Sequence, residues 1–357
     1  MPKKITEYPF LPLYRRYINQ LKKGKQLQAN GKKIKKGSIK NYEYLELLLT
    51  KFIIQKKFDL RLKIDTGLTK KQFEDEKKYW KEFYISFTGF MYDDLGHYDN
   101  YVGRTIKLLR CFFNYLINEQ GLSIGTFHKK FYAPSEDVEI LVILPERLNH
   151  LVYSKELADQ LSQEMIKVKD VVVVGCVVAL RYSDLDALNK TNLEIINGRM
   201  YIKIQSKKTQ TYTRVKLPDY AIDIINKYAK LSTRRILPHF TKADLNKKIK
   251  MLMETAGFNE DIQRTRQRRG IPEITYKIKK TKTPYRFCDV VTTHTMRRSA
   301  ITTMLSLGMN EQMVRQISGH IANSKEFYRY VAFAQKYIDT EIDLVHEKLS
   351  KKHLEIA

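Results

Sequence analysis

The chain has 357 residues, with 65 Lys and Arg against 39 Asp and Glu and a formal net charge of +26. The length predicts two or three domains, and an apolar content of 43% excludes wholesale disorder. Three scattered cysteines, Cys111, Cys176 and Cys288, exclude a disulfide framework or a zinc ribbon and suit a reducing cytosol, while so basic a balance predicts a polyanion partner, nucleic acid by default, with solubility as the plainer use of the charge.

The N-terminus, Met1-Pro2-Lys3-Lys4, leads into no apolar stretch, so no secretion signal is expected. Residues 1–40 carry twelve basic side chains and one acid, Glu7, for a net of +11. Leu11 to Lys23 reads as a helix of mixed apolar and basic residues, and Ser38 is the expected cap of a second through Tyr42, Leu45, Leu48, Leu49 and Phe52. Residues 41–100 are near neutral, with a net of −1. A third helix is predicted over Tyr79–Met91 and a fourth over Asp99–Asn118. In the fourth, Val102, Ile106, Leu109, Phe113 and Leu116 step by four and three along one stripe. Lys107 and Arg110 lie off that stripe, where they can face a phosphate. Residues 121–146 carry Gly, Ser and Pro punctuation and little periodicity, which predicts an interdomain linker over 121–144.

Pro145-Glu146 opens another predicted helix. Val171–Leu180 is apolar throughout. It is about half the length of a membrane span, and its periodicity does not separate helix from strand; we favour a buried helix. Leu193–Ile196, Asn197-Gly198, Met200–Gln205, a turn over Ser206–Thr211 and Tyr212–Leu217 predict a three-stranded antiparallel meander. Helices are then expected over Asp219–Lys230, Lys242–Ala256, His294–Leu307, Glu311–Ser318 and about Ala334 to Leu349. The segment Arg264–Arg286 is a second basic block, with nine basic residues and one acid, Glu273. Two separated blocks suggest two surfaces approaching one nucleic acid. Candidate phosphate contacts are Arg15, Lys32, Lys35, Lys36, Lys107, Arg110, Arg264, Arg268 and Lys279.

No phosphate-binding glycine loop and no His/Cys/Asp cluster at metal-ligand spacing is evident, so no cofactor is expected. What remains is a scattered basic set. His294 and Arg297 are three apart on a predicted helix, with Thr293 as the expected N-cap, an arrangement suited to a phosphodiester; the bland reading is a solvated helix face. Arg181 follows the buried apolar run, where a charge needs an anionic partner, Asp184 or Asp186 on an ordinary reading. Lys207 and Lys208 occupy a strand turn. Gly319 is a predicted helix C-cap that presents His320. Tyr328 and Tyr330 follow, in a chain whose 23 tyrosines mostly serve packing.

The order of these residues resembles the tyrosine recombinase (phage integrase) family. The family's Gly-Leu-Arg signature is read here as Ala179-Leu180-Arg181-Tyr182-Ser183-Asp184-Leu185, with Ala in place of the usual Gly. Its hairpin Lys-Thr pair is Lys208-Thr209, its His-x-Leu-Arg-Arg box is His294-Thr295-Met296-Arg297-Arg298, and its Leu-Gly-His box is Ile317-Ser318-Gly319-His320. The resemblance covers about residues 145–350. The helical N-terminal half is similar to the SAM-like core-binding domain of integrases from Bacteroidetes mobile elements. In many relatives the tyrosine lies nine residues after the Gly-His histidine. Here Tyr328 lies eight after it and Tyr330 ten, and the Phe327-Tyr328-Arg329-Tyr330-Val331 context favours Tyr330.

The resemblance implies a mainly α fold with a small antiparallel β-meander, a helical core-binding domain over 1–120 and an α+β catalytic domain over 145–357 with a C-terminal tail from 334. It implies cleavage and rejoining of duplex DNA through a 3′-phosphotyrosyl bond. Arg181, Lys208, His294, Arg297, His320 and Tyr330 would be the catalytic set, with Asp184 buttressing Arg181. It further implies a tetramer on DNA from monomers in solution, and a cytoplasmic, nucleoid-associated bacterial protein. The tail, with Phe333, Tyr337, Ile338, Ile342 and Leu344, either docks on a neighbouring protomer or packs in cis. A type IB topoisomerase and a catalytically inactive DNA-binding regulator are the competing readings.

Overall fold

The computed structural model describes residues 7–28, 31–64, 68–206, 211–232 and 234–354. Helices predominate, and the chain divides into two units of dense internal contact. The first is Met1–Val138 with Thr265–Ile274, and the second is Glu139–Arg264 with Thr275–Ala357.

The first unit is built on four helices, α1 (Phe10–Lys22), α2 (Lys36–Lys56), α3 (Lys70–Gly89) and α4 (Asp99–Asn118). Its core is aromatic. Phe112 meets Tyr14 edge-on at 4.8 Å between ring centroids, and Trp80 meets Phe113 at 5.0 Å. Such crossed rings add to the area they bury. The fourth helix has the predicted bounds, because its stripe is buried as read. Two expectations are corrected. Lys35, not Ser38, stands at the start of α2, and no side chain caps it. The third helix begins nine residues before Tyr79, capped by Thr69, whose hydroxyl accepts from Gln72 N while Thr69 N donates to Gln72 Oε1. Its charged first turns hid it, although Glu76 there is only 2% exposed and takes both its carboxylate bonds from Arg61, at 2.7 and 2.8 Å. A π-turn, Phe90–Asp94, follows α3.

The predicted linker is not a bare tether. Ile124 and Phe131 are buried in the first unit's core, whereas Ile140, Val142 and Ile143 are buried in the second unit.

A hairpin that sequence reading missed joins the first unit from far along the chain. Arg264–Arg268 and Ile271–Thr275 pair across Arg269 and Gly270, whose φ values are 53° and 76°. Positive φ at both positions is the requirement of a tight hairpin turn. Buried carboxylates hold it. Asp99 accepts from Arg269 N and Gly270 N at 2.8 Å each and from the Tyr92 hydroxyl at 2.6 Å. Glu136 accepts from the Arg266 guanidinium at 2.6 and 3.0 Å and from Gln267 N. No apolar alternation marks these strands, so the periodicity signal was silent.

The second unit carries α5 (Pro145–Tyr153), α6 (Lys155–Gln160), α7 (Gln163–Val178), α8 (Tyr182–Leu185), α9 (Asp219–Leu231), α10 (Lys242–Thr255), α11 (Phe287–Val290), α12 (Thr293–Ser306), α13 (Glu311–Ser318) and α14 (Lys325–Leu354). The apolar run is helical, and α7 is the buried spine of this unit. Close approach of α12 depends on Gly175, where a Cβ would come within 2.8 Å of the Met296 sulfur. The meander forms as predicted, with Leu193–Ile196, Arg199–Gln205 and Tyr212–Lys216 antiparallel and Asn197 and Gly198 at positive φ. Among the described residues, no helix is long and apolar enough to cross a membrane.

Candidate active site

The spine helix α7 stops at Ala179, which adopts left-handed φ and ψ of 54° and 19° and is fully buried. This turn points the Ala179 carbonyl at Arg297 and brings Arg181 out at the head of α8. A left-handed conformation strains any residue with a Cβ. Ala179→Gly is therefore expected to stabilise the fold by about 1 kcal/mol, seen as a melting temperature ~2–4 °C higher. An unchanged or lower melting temperature would contradict this.

Arg181 Nη1 donates to Ser206 Oγ at 3.2 Å, and Ser206 Oγ donates to Asp184 Oδ2 at 3.0 Å. Asp184 is 1% exposed. Of the two carboxylates open to the sequence reading, Asp184 belongs to this network. Asp186 accepts instead from Arg235 at 3.5 Å and from His239 Nδ1 at 2.6 Å. Lys208, with Lys207 and Thr209, lies outside the described residues. On either side of these residues, Ser206 N donates to Thr211 O at 2.8 Å.

The fourth wall is the head of α12. Thr292, not Thr293, is its cap. Its hydroxyl accepts from His294 N, and Thr292 N donates to the Thr295 hydroxyl. Thr293 is instead buried, its N–H bonded to Asn246 Oδ1 at 2.8 Å. His294 is exposed at the helix start. One turn on, Arg297 is only 3% exposed and donates to Ala179 O and Ser318 O, each at 2.6 Å. Its second terminal nitrogen also lies 3.4 Å from His320 Nε2. Gly319, at φ 64°, ends α13 as predicted and turns His320 inward. His320 Nδ1 lies 2.7 Å from Ser318 Oγ, and Ser318 Oγ donates to Val314 O. Since that hydroxyl's hydrogen is already committed, Nδ1 carries the proton and Nε2 is left as the acceptor facing Arg297.

The final helix starts at Lys325, nine residues before the expected Ala334. Phe327, Tyr330, Val331 and Ala334 fall at helical spacing and meet the unit's core. Tyr330 thus sits on a helix face, 2% exposed, with its ring centroid 5.8 Å from that of His320. Tyr328 is 53% exposed and lies under the Arg315 guanidinium. Arg315 also covers Phe327 at 4.0 Å and donates to Ala322 O at 2.5 Å, fixing the loop between α13 and α14. Phe333 packs on the core in cis, while Ile342 is 48% exposed; the side chains of Tyr337 and Leu344 lie outside the described set.

The electrostatics of this cluster are one-sided. Lost hydration, then Arg297, Arg181, Arg315 and His294, lower the pKa of His320 to about 3. Lost hydration, then Arg298, Arg297, Lys242 and Arg181, lower that of His294 to about 4. Even Arg297 is lowered to about 10, by lost hydration and Arg181 against the pull of Tyr330 and Asp184. A cluster in which cations depress one another is suited to an anion.

The structure thus gathers Arg181, His294, Arg297, His320 and Tyr330. Ser206, Ser318 and Arg315 complete the arrangement; the first two stood in the predicted turn and the Gly-His box without a role of their own, and Arg315 carried no sequence signal. The expected phosphate contacts divide. Lys32, Lys35, Lys36, Lys107 and Lys279 are exposed, and Arg110 is half-buried on α4. Arg15 pairs with Glu46 at 2.7 Å yet borders a basic hollow of about 530 Å³ with Arg16, Lys23 and Lys25. Arg264 lies over the Tyr285 ring at 5.2 Å. Arg268 is spoken for by the protein, donating to Tyr92 O at 2.6 Å and Glu273 at 3.1 Å.

The phage integrase family model matches residues 154–336, just over half of the chain. The chain therefore belongs to the phage integrase family, the tyrosine site-specific recombinases. The matched family is the phage integrase family as a whole; the narrower likeness to Bacteroidetes mobile-element integrases rests on the motifs alone. No curated protein matches the chain in sequence. Among solved structures, it is similar to the XerH site-specific recombinase bound to a palindromic difH substrate, with 13% identity, a TM-score of 0.60, and 94% of this chain and 95% of that one covered. It is similar to a lambda integrase dimer bound to a core site, with 13% identity, a TM-score of 0.58 and coverages of 91% and 78%. It is also similar to the Tn1549 transposon integrase with circular intermediate DNA, with 14% identity, a TM-score of 0.53 and coverages of 90% and 94%. These likenesses establish the shared fold.

Proposed function

We propose that this recombinase cuts and rejoins duplex DNA at a specific site through a 3′-phosphotyrosyl intermediate formed by Tyr330, moving a mobile element. The observation that carries this reading is the convergence of Arg181, Arg297, His294 and His320 beside Tyr330, in a cluster whose cations depress each other's proton affinity. In the first step the Tyr330 oxygen bonds to phosphorus and the bond from phosphorus to the 5′ oxygen breaks. The tyrosine proton passes toward His294, and Lys208 supplies a proton to the departing oxygen. Arg181 and Arg297 hold the non-bridging oxygens as their charge grows. Attack by a 5′ hydroxyl then reverses the step, and because the bond energy is kept in the intermediate, no nucleotide is consumed. The exposed lysines of the first unit supply sequence-independent grip on the backbone. On DNA the protein works as a tetramer assembled from monomers, in the bacterial cytoplasm.

The test is a nicked suicide substrate carrying the element's own end sequence. Wild-type protein is expected to accumulate a covalent adduct. Absence of any adduct would overturn the reading, and robust site-independent relaxation of plasmid by a monomer would replace it with a topoisomerase.

The histidines give a pH signature. In the folded protein both have a pKa below the ordinary histidine value of about 6.5. The folded state therefore holds fewer protons than the unfolded one in the window below about 6.5, so stability is full above that pH and falls as pH drops through about 4 for His294 and about 3 for His320. A phosphate in the pocket reverses the field. DNA binding near pH 5.5 is thus expected to take up protons, measured by calorimetry in buffers of different ionisation enthalpy, and His320→Asn is expected to diminish the uptake. Buffer-independent heats would contradict it.

A further inference from the structure

Ser206 is absent from the set of residues that the site's chemistry calls on. It is nevertheless only 3% exposed and uses its hydroxyl fully. The oxygen accepts Arg181 Nη1 at 3.2 Å while its hydrogen goes to Asp184 Oδ2 at 3.0 Å. Its backbone N–H donates to Thr211 O at 2.8 Å. One residue therefore ties together the end of a strand, the arginine that follows the spine helix and the buried carboxylate three residues later. Asp184 is in turn approached by Ser183 Oγ at 3.5 Å.

Arginine side chains have several rotatable bonds, and a half-buried guanidinium among other cations is pushed outward. Here Arg181 lies within electrostatic reach of Arg297, so the two guanidiniums repel one another. A neutral acceptor fixed to a buried carboxylate offers a directional hold and passes some of the carboxylate's charge to Arg181 without filling the guanidinium's remaining donors. Those donors stay available to a phosphate.

We infer that Ser206 is a positioning residue for strand cleavage, holding Arg181 in its phosphate-facing orientation by bridging it to Asp184. This rests on the proposed function, because the role is defined by what Arg181 does to a scissile phosphate. The bulk of DNA affinity comes from remote backbone contacts, so the effect falls on the chemical step and not on binding.

The experiment is single-turnover adduct formation on the nicked suicide substrate, with affinity measured in parallel. Ser206→Ala is expected to cleave at least about tenfold more slowly, below the 10²–10³ of a direct transition-state contact, with affinity unchanged. In an Arg181→Lys background the same change is expected to add nothing, since its route to the phosphate is already gone. Ser206→Thr, which keeps the hydroxyl, is expected to restore the rate. Should the alanine variant fold poorly, Ser206→Cys carries the test, because it keeps the volume and loses the strong donor; a fast Thr and a slow Cys variant support the inference, and equal rates overturn it. A Ser206→Ala enzyme as fast as wild type, or an equal loss in both Arg181 backgrounds, also overturns it. A wild type that forms no adduct overturns the proposed function and this inference together. A reactive wild type beside an equally reactive Ser206→Ala overturns the inference alone.

Discussion

Tyr330→Phe is expected to abolish covalent protein–DNA adducts, a loss of at least about 10⁴ in cleavage, while Tyr328→Phe leaves them. The two positions are two residues apart, so a helix turns them about 200° away from one another, and only one can face the pocket. Tyr330 is buried beside His320 and lies within the electrostatic reach of Arg297. Tyr328 is exposed, with Arg315 resting on its ring. Removing the Tyr328 hydroxyl takes nothing from the pocket. Denaturing gels of suicide-substrate reactions check both variants. Adducts from Tyr330→Phe, lost in Tyr328→Phe, would exchange the assignment and require α14 to unwind at its start.

Arg297→Ala is expected to lower single-turnover cleavage by about 10²–10³ and to destabilise the protein as well. The guanidinium donates to two buried carbonyls, Ala179 O and Ser318 O, and each left without a donor costs about 1–3 kcal/mol. Arg297→Lys keeps the charge but loses the planar fork that spans two carbonyls while facing a phosphate. DNA affinity near that of wild type, with cleavage still reduced about 10²-fold, is the expected pattern. Thermal melts of both variants, read beside the rates, separate the structural share from the chemical one. An Arg297→Lys enzyme at full rate would mean that charge alone suffices.

Much of the catalytic unit was legible from spacing. The buried run became α7 because nothing in it favours a turn, and Asn197-Gly198 fixed the meander because few other pairs accept two positive φ values. Gly319 was readable as a cap for the same reason. Boundaries failed where charge masked burial. The start of α3 hides Glu76 against Arg61, and α14 begins at Lys325, ahead of the expected Ala334, so that both tyrosines fall in its first turns. The second basic block was read as a surface for phosphate, yet Arg266, Arg268 and Arg269 bind Glu136, Glu273 and Asp93, carboxylates placed as far as 176 residues away in sequence.

The sequence by itself determined the residue types, their order along the chain and the local signals that set helices, turns and caps, since these depend on neighbours a few residues apart. Tertiary structure decided what the motif order could only favour, namely which tyrosine is buried beside His320 and which aspartate is linked to Arg181, and it alone decided which cations are bonded to carboxylates. Those outcomes depend on burial and on partners distant in the chain. The net charge of +26 counts every arginine alike, whereas a guanidinium bonded directly to a buried carboxylate and one set among other cations have opposite uses.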